Sequence, residues 1–143
     1  MLDLLVDKLR SYPDVKFDRK SDNDLEVFCG DEKGFDILLE VNQREHTLHF
    51  GTFHWHFDNN EEETNEMLSK LFFGLTGVAR IKEFSKKGKK YKWVLQIEDR
   101  YGNWFDYGTM AVMNFNFWTK AEVTYLQNNL LPREVLFVGG EGL

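Results

Sequence analysis

The stretch DLEVFCGDEKGFDILLEVNQREHTLHFGTFHWHFDNNEEE, Asp24 to Glu63, decides the fold. Leu25, Val27 and Cys29 alternate with Asp24, Glu26 and Phe28, and beyond GDEKG the alternation resumes with Phe35, Ile37, Leu39 and Val41 against Asp36, Leu38 and Glu40. A hydrophobic period of two marks strands with one buried face, so these segments predict a hairpin. Asn42-Gln43-Arg44 turns into Glu45–Phe50, and Thr52–Phe57 alternates again. Residues 24–57 therefore read as a consecutive antiparallel meander with connections of a few residues.

From Asn60 the period changes. Met67, Leu68, Leu71, Phe72 and Leu75 recur at helical intervals, which predicts a helix over 61–75. Glu61, Glu62 and Glu63 stand where the helix dipole favours negative charge, and Gly74 and Gly77 supply the stop. The same period in Leu2, Leu5, Val6 and Leu9 predicts a helix over 2–10.

Val78–Ser85 and Lys90–Glu98 flank the turn KKGK as a second hairpin. Trp104–Trp118 reads as a long strand, with Gly108 marking a bend. Thr119-Lys120-Ala121-Glu122 has the form of a capping box, and Val123, Leu126 and Leu130 follow it, so a last helix is expected over 120–130 before Pro132. Glu134–Val138 is expected as an edge strand and 139–143 as a loose tail. The expectation is one α+β domain spanning 1–143, with a mainly antiparallel sheet of about six to eight strands and three helices.

Composition agrees with a folded chain: 42% of the 143 residues are hydrophobic and 15% aromatic, with two prolines. No apolar run approaches membrane-span length, and MLDLLVDKLR is acidic where a secretion signal would be basic, so no membrane partner and a cytoplasmic location are expected. The single cysteine, Cys29, fits that reducing setting and reads as an inert core thiol. Residues 1–63 carry sixteen acidic and seven basic side chains; residues 64–143 carry eight and eleven. The net charge of −6 makes nucleic acid an unlikely ligand and a basic protein the expected partner.

All four histidines lie between His46 and His56. Alternation in Thr52–Phe57 places Phe53, Trp55 and Phe57 on the core face and His54 and His56 on the other, about 7 Å apart along the strand. That spacing suits a shared zinc or other transition metal, but zinc takes three or four ligands. His49 or His46 would add a third across a turn at Gly51, and a bulge at Gly51 would switch the parity. Otherwise the histidines simply face water or a groove.

Asp22, Asp24 and Glu26 alternate as calcium ligands would, without the central glycine and terminal glutamate of an EF-hand loop. The lysines from Lys82 to Lys92 surround a hairpin turn, where solubilising a loop tip or blunting a sheet edge is the ordinary role and nucleic-acid contact the lesser alternative. Trp104 and Trp118 are either core residues or exposed hot spots at the ends of their strand.

An acidic, aromatic-rich α+β chain of this size, with a strand ending in HWHFDNNEEE that feeds a helix, resembles the small uncharacterised bacterial immunity proteins of polymorphic toxins. The resemblance implies a non-enzymatic protein that binds and blocks a basic toxin or nuclease domain, with no cofactor. The candidate contacts read from the residues are Asp22, Asp24, Glu26, Asp58, Glu61 and Glu62, with Trp104 and Trp118 as aromatic anchors. The competing expectation is a metal-binding protein or metal-dependent enzyme built on His54, His56 and His49.

Overall fold

The computed structural model describes residues 1–137. It is an α+β structure of two helices and two antiparallel sheets. The chain begins with α1 (Leu2–Arg10), whose Leu2, Leu5, Val6 and Leu9 are buried, and continues into β1 (Lys16–Arg19), β2 (Asp24–Phe28), β3 (Ile37–Glu40), β4 (Glu45–Phe50) and β5 (Phe53–Asp58). These five strands pair in chain order, as the meander reading requires. Gly51 is a turn and not a bulge: it takes φ +56°, a conformation glycine adopts without strain, and the strands pair from Phe50↔Phe53 outward.

Helix α2 (Glu61–Thr76) begins on a reciprocal cap. Asn60 Oδ1 accepts from the Glu63 amide at 2.8 Å, while Glu63 Oε1 reaches back to the Asp58 amide at 3.1 Å. It ends at Gly77, left-handed at φ +81°. Met67, Leu71 and Leu75 are buried against the inner face of the five-stranded sheet, where Leu25, Val27, Ile37, Leu39, Leu48 and Phe50 line up. The contact is close: a Cβ on Gly74 would lie 2.5 Å from Phe50 Cζ.

The second sheet has the order β8-β7-β6-β9, formed by β6 (Ala79–Lys86), β7 (Lys89–Glu98), β8 (Trp104–Ala111) and β9 (Glu122–Gln127). Lys87 and Gly88 both take positive φ (52° and 77°), the mark of the two-residue hairpin turn whose twist matches its strands. Ala79, Ile81 and Leu95 join the common core from one face of this sheet.

Four sequence expectations need correction. There are nine described strands in two sheets, not six to eight in one. The long strand ends at Ala111, and residues 112–121 carry the chain from the β8 edge to the β9 edge. The helix expected over 120–130 is strand β9, because Val123, Thr124 and Tyr125 suit an extended backbone and β6 offers a free edge from Arg80 to Ser85. The expected strand 134–138 is instead a 3-10 helix, Arg133–Phe137, with Val135 and Leu136 buried; Val138 and the tail 139–143 lie outside the described residues.

What docks β9 is Asn128, which is only 3% exposed. Its Oδ1 accepts from the Phe35 amide and its Nδ2 donates to the Phe35 carbonyl, both at 2.9 Å, and Gln127 N donates to Lys33 O at 2.7 Å. Gly34 is required there, since a Cβ would lie 2.3 Å from Asn128 Oδ1. Asn128→Leu leaves a buried amide and carbonyl of Phe35 unpaired, which costs about 2–4 kcal/mol; urea unfolding should show that loss with an unchanged m-value. Gly74→Ala should cost about 1–3 kcal/mol by overpacking on Phe50, checked the same way.

Candidate functional site

The register of β4 on β5 settles where the histidines point. His46 pairs with Phe57 and faces the core at 1% exposure, whereas His49 pairs with His54 and Thr47 with His56 on the outer face. His49, His54 and His56 therefore share one surface, with ring centroids 5.8 Å apart for His49 and His54 and 5.4 Å for His54 and His56. Phe53 and Phe57 are buried on the opposite face, and Trp55 packs half-buried among them under the Lys70 ammonium, 4.3 Å from its ring centroid. Burial holds the Lys70 amine below the usual lysine range.

The outer-face imidazoles are directed at carboxylates. His49 Nε2 lies 2.5 Å from Glu40 Oε1, and His56 Nδ1 lies 2.9 Å from Glu45 Oε1 and 3.2 Å from Thr47 Oγ1. His54 lies between its two neighbours, tilted by 32° to His49 and edge-on to His56 at 81°. Among the described residues, no three His, Cys, Asp or Glu groups are arranged to hold a metal ion. The three imidazoles of the metal reading share a face, yet two of them turn toward carboxylates of their own sheet.

Of the acidic candidates, Asp24, Glu26 and Asp58 share the outer face of the five-stranded sheet. Asp24 stands opposite Glu40, which stands opposite Thr47, and Asp58 stands opposite Glu45. Glu26 is paired to Lys20 at 2.7 Å, a contact that raises the lysine above its usual range. Asp22 is exposed in the β1–β2 turn, and Glu61 and Glu62 are exposed in the first turn of α2 just beyond Asp58. Glu40 and Glu45 belong to this surface although neither stood out in the sequence. Strand parity was the available signal, but only the register shows which side chains it brings to Asp24 and Asp58.

Like charge crowds Asp58. The Glu63 carboxylate beside it, with Glu45, pushes the Asp58 carboxyl above the usual range, while the hydrogen bond from the Asp58 amide holds Glu63 below it.

The remaining candidates part company. Trp104, at the start of β8, is half-buried and lies under the Arg80 guanidinium, 3.9 Å from the ring centroid. Trp118 lies in the 112–121 crossing, 99% exposed, beside Phe117 (68%), Phe115 (75%) and Met113 (78%). Cys29 is half-buried just past β2 and not in the core; burial pushes its thiol up and its Sγ donates to Asp31 O at 3.2 Å.

Comparison with known proteins returns no matching family model, no matching curated protein and no matching solved structure. Among the described residues no helix is long and apolar enough to cross a membrane.

The coupling between Asp58 and Glu63 is directly measurable. Glu63 favours the fold fully above its ordinary range, and that contribution is lost as pH falls through its lowered value; Asp58, shifted upward, acts in the opposite sense. Carboxyl NMR titration of Glu63→Gln should bring Asp58 back toward the ordinary aspartate range. An unmoved Asp58 would refute the coupling.

Proposed function

We propose that this chain is a non-enzymatic protein-binding module of the immunity type, which docks a basic protein. The observation that carries the reading is the exposed apolar run of the 112–121 crossing. Val112, Met113, Phe115, Phe117 and Trp118 are all more than half exposed. Contiguous apolar surface of this kind marks association sites, and exposed tryptophan is the residue type that most often anchors them.

Charge supports the choice of partner. The outer face of the five-stranded sheet carries Asp24, Glu26, Glu40, Glu45 and Asp58, so a basic partner is drawn toward this molecule by its field. In this reading the aromatic run holds the complex and the acidic surface speeds its formation.

The test is affinity capture of the partner from the source cells, followed by binding measurements with two variants. Trp118→Ala should weaken the captured complex at least about 30-fold, the effect of losing a hot spot worth 2 kcal/mol. Reversing Asp24, Glu26, Asp58, Glu61 and Glu62 to lysine should slow association and flatten its salt dependence, with dissociation little changed. Binding indifferent to both variants would overturn the proposal.

A further inference from the structure

The face of the four-stranded sheet turned away from the core is chemically unlike the rest of the molecule. By register it carries Arg80, Lys82 and Phe84 from β6, Lys92 from β7 with Val94 and Gln96 buried beneath their neighbours, and Trp104 and Tyr125 from the two edge strands. The hairpin 79–98 contains seven basic and two acidic residues. Neither acid leaves a free negative charge on that face. Glu83 points to the core side, where Trp93 Nε1 donates to it at 2.9 Å and Lys90 approaches to 3.4 Å, and Glu98 is paired to Arg133 at 2.7 Å.

Aromatic rings and cations interleave across this face. The Arg80 guanidinium lies 3.9 Å from the Trp104 ring centroid and 4.2 Å from that of Tyr125. Lys82 and Lys92 lie 5.2 Å and 5.1 Å from the Phe84 ring, and Lys86 lies 5.2 Å from Tyr91. Arg80 is held in place by Gln96 Oε1 at 2.8 Å, and Gln96 Nε2 donates to Asp106 at 2.9 Å, so a polar chain spans β6, β7 and β8 and engages the face's other carboxylate. At the hairpin end, Lys86 Nζ donates to Asn116 O at 3.2 Å, which seats the exposed Phe115 and Phe117 next to the lysine-rich turn.

From this arrangement we propose that the open face of the four-stranded sheet binds single-stranded nucleic acid. The parts of these rings that the cations leave uncovered offer stacking surfaces to unpaired bases, and the cations packed over the rings meet the phosphates that link them. Four strands span about 14 Å, room for a short run of splayed nucleotides. Duplex hides its base faces and an acidic peptide has none, so either would use the charges and leave the rings idle. The negative net charge is no obstacle, because sixteen of the 24 acids precede residue 64 and affinity follows the local field, which on this face is set by the basic hairpin. This site adjoins the protein-docking run at its Phe115–Phe117 end, but Lys82, Lys92, Trp104 and Tyr125 lie outside that run, so either proposal can fail alone.

The test is fluorescence anisotropy with a labelled polythymidine of about 20 nucleotides, long enough to cover the site. Micromolar binding that weakens with salt is expected for the unaltered protein. Lys82→Gln/Lys92→Gln should lower affinity about tenfold and reduce the salt slope by about 1.4, the share of two phosphate contacts on a single strand. Tyr125→Leu and Trp104→Leu should each weaken binding several-fold and leave the salt slope unchanged, the signature of lost stacking. No binding at low salt up to about 100 μM, the weak end of non-specific association, would overturn the proposal. So would equal competition by polyglutamate or by duplex with no effect of the ring variants, which would reassign the face to a generic polyanion or an acidic protein.

Discussion

The amide of Asn128 is the joint on which the two sheets depend. It satisfies the amide and the carbonyl of Phe35, 93 residues earlier in the chain, in a place closed to water. A planar side chain that sets an NH2 donor beside a carbonyl acceptor fits the edge of an extended residue as a neighbouring strand would. Around that bond the space is fully used: Gly34 has no room for a Cβ beside Oδ1, and Gly77 has none beside the Asn128 carbonyl. Gln127 Nε2 and Arg133 both donate to the Gly77 carbonyl, and Leu130 and Leu131 donate to that of Leu75, so the end of α2 finds its hydrogen-bond partners in the same segment.

How much of this was legible follows from the range of the forces concerned. The meander and α2 could be read because their periodicity is local: Leu25 and Val27 share a face whatever lies across from them. β1 escaped notice because Lys16–Arg19 holds one apolar residue, Phe17, and is a strand by virtue of its pairing with β2. β9 was misread because TKAE followed by Val123, Leu126 and Leu130 satisfies a helix template. The deciding partner, the free edge of β6, lies some forty residues away and leaves no trace in that window.

The candidate site shows the same division. Parity alone separated His54 and His56 from Phe53, Trp55 and Phe57, but only the turn at Gly51 could say that His49 joins them and His46 does not. Charge was the least legible quantity. The half-chain totals hinted at polarity, yet it took the sheets to put acids on the outer face of one and cations among aromatic rings on the open face of the other.

The placement of β9 has a consequence for how the molecule is made. A ribosome releases the chain from its N-terminus, so the five-stranded sheet, α2 and the hairpin of β6 with β7 all emerge before the residue that fastens them together. Until residues 122–131 are free, the edge of β6 is unpaired, the main chain of Phe35 has only solvent to bond, and the last carbonyls of α2 are open. Closing so long a loop is a late and entropically demanding step. The nascent protein is therefore a structure with an open seam, most exposed to wrong partners in the interval before β9 arrives.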